Sequence, residues 1–357
     1  MPFDWFQSIA GTLPPWLLPA LDTSAPQIIL STTVMVARNI QGLVFPPFHG
    51  RADHAENAHL LVFHALRNLP IFMNAAVFSV DDLTQEQKRI IEKRGLAPHE
   101  FLFAPEYRTL LVTPDESVFA RINNHNHLEI VLRRHGNCPQ QLTMHAMGLM
   151  KQLDDTLDFA KDADYGFLCR DFEQIGNGVS INIATHIPGL ALLGFTPQVT
   201  HGANELNFQL EYAFPTQQKQ DALLFNLKTR SAYSHNPVAT AMRLDDFAKR
   251  IENHELDTRH VMTEGPRKGD LLDFVGRAKG LLAEAYRISA IEGRRLLSAF
   301  WLGAETGLLP EEARAAAIKL FAEIDEEETK QDETPAAKEK NECRARLLRE
   351  SLGPFLK

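Results

Sequence analysis

Near residue 220 the apolar patterning of this chain changes period, and that change limits the folds open to it. Before it, short runs recur with apolar residues at about every second position: "QIILSTTVMVA", "RTLLV", "SVFARIN", "HLEIVLRR", "SINIATH" and "ELNFQLEYAF". Alternation of this kind sets one side of a strand against a core. After it, "DDFAKRIENHEL", "GDLLDFVGRAKGLLAEAYRI", "AIEGRRLLSAFWLGAETG" and "LPEEARAAAIKLFAEIDEEE" space their apolar residues as helices do. In the first part, "DDLTQEQKRIIEKRG", stopped at Gly95, and "LTMHAMGLMKQLDDTLDFA" also read as helices. The turn "TPDES" joins two of the strands. The expected fold class is therefore α+β: a largely antiparallel β-sheet flanked by helices, then a helical C-terminal domain. A length of 357 residues suits two domains, placed at 1–250 and 251–357, with a charged segment near 325–341.

Composition removes several function classes. A net charge of -9 speaks against a general nucleic-acid binder. Cys138, Cys169 and Cys343 are far apart and form no CxxC pair, which fits reduced thiols rather than a disulfide frame or zinc site. No run reaches the roughly 18 apolar residues that cross a bilayer. The apolar N-terminus is broken by Pro14, Pro15 and Pro19 and lacks a basic start, so it does not read as a signal peptide. The expectation is a cytoplasmic protein with no membrane and no nucleic-acid partner.

Five stretches carry a family resemblance. "ILSTTVMVARNIQGLVFP" resembles the opening strand of the ATP:guanidino phosphotransferases, S-S-R-x-R-x-A-R-N with an apolar-Phe-Pro ending. "LLVTPDESVFARINNHNHLEI" resembles their D-E-S and N-E-E-D-H-L segment. "LDDTLDFAKDADYGFLCRDFEQIGNGVSINIATHIPGL" resembles D-x-L-x-x-A-x-x-x-x-x-G-Y-L followed by G-T-G-x-R-x-x-x-x-x-H-x-P. "LLDFVGRAKGLLAEAYRISAIEGRRLLSAFWLGAETGLL" and "CRARLLRE" resemble the C-terminal domain of the bacterial protein-arginine kinases, with L-L-S-x-x-R-L-G and R-A-x-L-I-R-E. The resemblance implies the guanidino-kinase catalytic fold and transfer of the ATP γ-phosphoryl group to a protein arginine. In that branch the product marks proteins for an AAA+ protease.

Phosphoryl transfer requires positioning and neutralisation of phosphate oxygens, and arginine suits this because its planar fork donates two bonds at once. The acceptor guanidinium needs a carboxylate to align it and take its proton. By the resemblance, two family arginines fall at Thr33 and Met35 and a third at Ser180. The two glutamates fall at Asn124 and His125 and the aspartate at Asn126. Asn123, His127, Arg38, Asn39, Gly176, Gly178, His186 and Pro188 match the family pattern. Asn177 replaces its threonine, and the family cysteine falls near Asp171. The glycine-rich Arg-Gly loop aligns loosely with "FTPQVTHGANELN", which has no arginine. In the C-terminal domain, the Arg-Asp pair of the phosphoarginine pocket falls at Lys340 and Asn341, and Trp301 replaces an arginine.

These replacements point to a degenerate kinase: no confident catalytic residue, no expected cofactor, and action through protein contacts with itself, an active paralogue or a protease-system component. A homodimer fits that picture. The alternative is an active arginine kinase that uses ATP and Mg with rearranged cations, Arg121 and Arg170. A third reading is a neutral, partly apolar pocket at Thr33, Met35, Ser180 and Asn124 for a less anionic ligand. Other features have plainer explanations. "HNH" at 125–127 lacks a third metal ligand. His49, His54, His59 and His64 lie five apart, off the spacing of one helical face, and read as solvated positions. "GNG" fits a tight backbone turn as well as a phosphate cradle, Cys169 an inert thiol, and Trp301 core packing.

Overall fold

The computed structural model describes all residues except 1–4, 10, 22–24, 104–106, 214–222, 233–235, 325–334 and 357. The chain starts with a short helix α1 (Trp5–Ile9) and then β1 (Ile29–Arg38), the strand on which the sheet is organised. Helix α2 (Ala52–Arg67) leads to β2 (Ala76–Ser79), α3 (Gln85–Lys93) and α4 (His99–Phe103). Three strands follow, β3 (Thr109–Val112), β4 (Val118–Ile122) and β5 (Leu128–His135), then α5 (Pro139–Asp154). A small ribbon, β6 (Lys161–Asp162) with β7 (Gly166–Phe167), precedes β8 (Val179–His186). After α6 (Pro188–Leu192) and α7 (Thr196–Glu205) come β9 (Phe208–Tyr212) and β10 (Leu224–Thr229). The chain ends in α8 (Pro237–Glu264), α9 (Lys268–Glu284), α10 (Ala290–Glu305), α11 (Glu312–Glu323) and α12 (Pro335–Leu352).

Eight strands form one sheet in the order β2-β3-β4-β5-β1-β8-β10-β9, and every recorded pairing is antiparallel. The expected class, antiparallel sheet with flanking helices and a helical C-terminal region, is the one found. β1 sits between β5 and β8, so alternation sorts its side chains onto the two sheet faces. Val34 and Val36 enter the main core with Leu142, Ala146 and Leu149 of α5 and Leu244, Ala248 and Ile251 of α8. Met35 lies on the opposite face, against a second core of Trp5, Ile91, Leu96, Phe101, Phe119 and Val131. That second core covers the β2–β5 side and reaches Met35 of β1, while β8 and β10 carry Ser180, Asn182, Asn226 and Lys228 on the same face.

A third core holds α9 to α12 together and includes Leu17, Ala20, Leu30 and Leu224 from the first part of the chain. Helix α8 runs unbroken through residues 250 and 251.

Several elements differ from the sequence expectation. Asp81 and Asp82 sit in a 3-10 turn, and α3 starts at Gln85 because Thr84 and Gln87 form a reciprocal capping box. "FTPQVTHGANELN" is mostly helix α7 rather than a loop. The final helix starts at Pro335, eight residues before the expected "CRARLLRESLG"; the rest of the charged segment, 325–334, lies outside the described residues. No helix is long and apolar enough to cross a membrane among the described residues.

Candidate functional site

Cross-strand register assembles the site. Thr33 of β1 is opposite Arg133 of β5 and Asn182 of β8, and Asn182 is opposite Lys228 of β10. Met35 is opposite Val131 and Ser180, while Ala37 is opposite Glu129, itself opposite Arg121 of β4. The sheet therefore brings Thr33, Met35, Ser180 and Arg121 onto one face. Arg170 joins them through the loop before β8. It lines a cavity of about 440 Å³ with Asp171, Phe172, Glu173, Gln174, Ser180 and Thr229.

Three cations of this face, Arg121, Lys228 and Arg133, have partners within the fold. Arg121 forms a 3.0 Å ion pair with Glu129, which is 2% exposed at its side chain. Arg121 also contacts the Met35 sulfur at 3.3 Å and lies over the Phe119 ring. Asn124 donates to the same Glu129 carboxylate at 2.8 Å. Lys228 is paired with Glu211. Arg133 donates to the carbonyls of Arg94 at 3.1 Å and Gly95 at 2.7 Å. Arg170 is the exposed cation at the cavity, flanked in sequence by Asp171 and close to Glu173. A triphosphate with its magnesium needs several unpaired donors converging on one point. Thr33, Met35 and Ser180 supply no charge, Arg121 and Lys228 are ion-paired, Arg133 is bonded to carbonyls, and Arg170 is exposed at the cavity.

Arg38 is not part of this face. It is 1% exposed, its guanidinium lies 3.5 Å from the Phe167 ring centre, and it donates to the carbonyls of Ala37 and Asn177. Burial lowers its pKa to about 10, which leaves it charged at neutral pH. Gly178, at φ +68°, makes this seat possible: a Cβ there would meet Arg38 and come within 2.6 Å of the Ala37 carbonyl. Gly176, at φ 123°, exchanges backbone bonds with Phe167. The "GNG" turn thus shapes the backbone around an internal arginine.

The "NNHNH" loop divides between structure and solvent. Asn126 accepts from Asn39 and from the Arg170 backbone and donates to Gln174. His127 accepts from the Ile40 amide at Nδ1, contacts the Val44 carbonyl at 2.9 Å through Nε2, and stacks on Phe48. Its burial lowers its pKa from 6.5 to about 4. Asn123 donates to the Ala55 and Tyr107 carbonyls. His125 alone is half exposed, 3.0 Å from Asp171 through Nδ1. Among the described residues no three His, Cys, Asp or Glu converge as a metal site, and His125 and His127 serve separate partners. His54 and His59 are half-buried rather than solvated: His54 accepts from the Val44 amide, and His59 contacts the Thr109 hydroxyl at 2.9 Å.

Burial also lowers the pKa of His186 well below 6.5. Histidines held neutral in the fold but free to protonate when unfolded make stability depend on pH in one direction. Their contribution is complete above pH 6.5 and is lost as the unfolded chain takes up protons, for His127 between 6.5 and about 4. Thermal midpoints should therefore fall from pH 7 to pH 5, and His127→Asn should flatten that slope. An unchanged midpoint over this range would contradict the buried neutral state.

Cys169 is buried, its thiol pushed up to about 12 by burial, and it is inert at neutral pH. In the C-terminal region Asn341 accepts from Arg344 at 2.7 Å and receives the Ile288 amide on its carbonyl, so it braces α12. Lys340 beside it is exposed. Trp301 is buried as expected, stacked on His186 at 4.3 Å.

Sequence reasoning missed Glu129, Glu173 and Phe172. The signal for Glu129 was present: one acid inside the otherwise apolar strand "HLEIVL" has to find a buried partner. Glu173 and Phe172 carry no such signal, because a short loop's outward side depends on the tertiary fold.

Residues 59–230 match the family described as "ATP:guanido phosphotransferase, C-terminal catalytic domain". Residues 268–356 match "Protein-arginine kinase McsB C-terminal domain". A protein named protein-arginine kinase from Syntrophomonas wolfei is 24% identical over 308 residues, 84% of each chain. Another of that name from an Exiguobacterium species is 26% identical, covering 79% of this chain and 80% of its own. Among solved structures, the duplicated taurocyamine kinase from Schistosoma mansoni superposes with a TM-score of 0.59 at 13% identity. That match covers 74% of this chain and 38% of the duplicated one. Lombricine kinase gives a TM-score of 0.54 at 15% identity, covering 64% and 66%.

Proposed function

We propose, from the premise that this chain belongs to the ATP:guanido phosphotransferase family in its protein-arginine kinase branch, that its cleft has lost phosphoryl transfer and that it works through protein contacts. The observation that carries this is the pairing of the face: Arg121 with Glu129, Lys228 with Glu211, and Arg133 with two carbonyls. Removing one transition-state cation costs phosphoryl transfer roughly 10³-fold or more. Here three arginine positions implied by the resemblance are Thr33, Met35 and Ser180, and both glutamate positions are Asn124 and His125. Partners of the kind found in a phosphoarginine and AAA+ protease pathway, or a second copy of the chain, fit this role.

A second reading, an active protein-arginine kinase using ATP and Mg, is favoured by the comparisons, since relatives of that name align over four-fifths of the chain. One experiment separates the two. Purified chain, Mg-ATP and an arginine-rich protein substrate are incubated, and acid-labile phosphoarginine is measured by mass spectrometry. We expect no incorporation above the enzyme-free control and no calorimetric heat with millimolar Mg-ATP. Incorporation that Arg170→Ala abolishes would establish the second reading instead.

A further inference from the structure

We propose that the outer edge of the sheet, strand β2, takes up an extended segment of a partner protein as an additional antiparallel strand. The segment carries apolar side chains at alternate positions, a basic residue at its start and an acidic one at its end. This edge lies five strands from β8 in the sheet, and the proposal holds whether or not the chain transfers phosphate.

Register shows which backbone groups of β2 are open. The strand ends the sheet and pairs with β3 alone, from Ala76 opposite Val112 to Ser79 opposite Thr109. One step further along that register, the Val80 amide donates to the Arg108 carbonyl. Bonded and open pairs alternate along an antiparallel ladder. Ala76 and Phe78 therefore bond inward to β3, while Val77 and Ser79 turn their N–H and C=O groups outward. Sheets commonly blunt such an edge with a charge, a proline or a bulge. "AVFS" has neither charge nor proline, its register is unbroken, and Val77 is 39% exposed.

A cavity of about 540 Å³ borders this edge. The ring cluster of Trp5, Phe6 and Phe78 lines it together with Met73, which is 65% exposed. Trp5 is 3% exposed, and its Nε1–H has no acceptor among the described residues. An incoming strand brings carbonyls to a wall that holds a donor without a partner. Charge sets the direction. Arg67 lines the cavity and donates to the Phe72 carbonyl on the approach to β2, and Asp82 lines it just past the strand's end. An antiparallel segment starts beside Asp82 and finishes beside Arg67, so it is matched by a base first and an acid last. Four edge residues beside a cavity of this size suit a short segment, not the roughly 800 Å² per partner of a stable dimer.

Fluorescence polarisation tests this on the full chain with a labelled peptide, Lys-Thr-Val-Thr-Val-Thr-Glu. Methyl groups are placed on both valine amides in one version and on the first two threonine amides in another. Alternate N–H groups of an added strand face β2 and solvent, so one version should bind about 2- to 10-fold more weakly and the other should match the parent peptide. Val77→Pro removes an outward N–H that β3 does not use, and should weaken the parent peptide by a similar factor. A peptide with Glu first and Lys last should bind about 2- to 5-fold more weakly, the effect of exposed ion pairs. Exchanging the charges in the chain, Arg67→Glu with Asp82→Lys, should invert that preference. Equal effects of the two methylations, a charge preference that does not invert, or no binding at millimolar peptide overturns the proposal. So does a chain that sediments as a dimer and becomes a monomer in Val77→Pro, since the edge would then belong to a second copy.

Discussion

Glu305→Ala lowers the stability of the whole chain by about 3–5 kcal/mol, the usual cost of stranding buried charge. The Glu305 side chain is 1% exposed and serves four partners from different parts of the chain. It accepts from the Gln27 amide at 2.8 Å, from Trp301 Nε1 at 2.8 Å and from Arg259 at 2.6 Å, with Arg314 at 3.9 Å. Arg259 also holds Glu255 at 2.7 Å, and Glu255 in turn accepts the amides of Gly189 and Leu190 that open α6. His186, at the end of β8, adds a 2.7 Å contact with Ser298 of α10. Without the Glu305 carboxylate, two buried guanidinium groups lose an anion and two N–H donors lose their acceptor. Glu305→Gln keeps an acceptor for Gln27 and Trp301 and loses only the charge, so its cost should be smaller. Urea unfolding of the three proteins measures both steps. Because the network ties β8 and α6 to α10, a single transition should shift as one in each variant. A variant in which only a helical subtransition moves would show that the clamp does not couple the two regions.

Much of the fold was legible because it rests on local period. β1, β4, β5, β8 and β9 lie where alternation put them, since each turns alternate apolar residues to the main core, with Met35, Phe119 and Val131 entering the second core from the other face. β2 and β10 were not read as strands. β2 is a four-residue edge strand. α7 falls where the resemblance aligned only a loop; Pro197 sits in the first turn, where its absent N–H costs nothing. The residue types of the site were legible and their partners were not. That Thr33, Met35 and Ser180 carry no charge is a fact of the sequence. That Arg121 is ion-paired depends on Glu129 lying across the strand pair. Arg38 shows the same limit: the letter matches the family pattern, yet alternation from Met35 turns it to the other face, onto Phe167.

Glu129→Ala should be the most damaging change at the candidate site, costing about 3–5 kcal/mol of stability. The carboxylate is 2% exposed and Arg121 is 13% exposed, so its removal strands a nearly buried guanidinium. Asn124 loses its acceptor in the same step. If stranding is the cause, Glu129→Ala with Arg121→Ala should be less destabilised than the sum of the single variants, with a coupling of roughly 1–3 kcal/mol. Additive effects would mean that the pair contributes packing rather than charge compensation. The same variant probes function from the opposite direction. Releasing Arg121 from Glu129 returns one unpaired guanidinium to the face that holds Thr33, Met35 and Ser180. Inorganic phosphate or pyrophosphate at low ionic strength should then bind Glu129→Ala more tightly than the parent chain, and salt should erase the difference. No gain in anion affinity would place Arg121 away from the cleft and remove the main physical reason for reading its cations as spent.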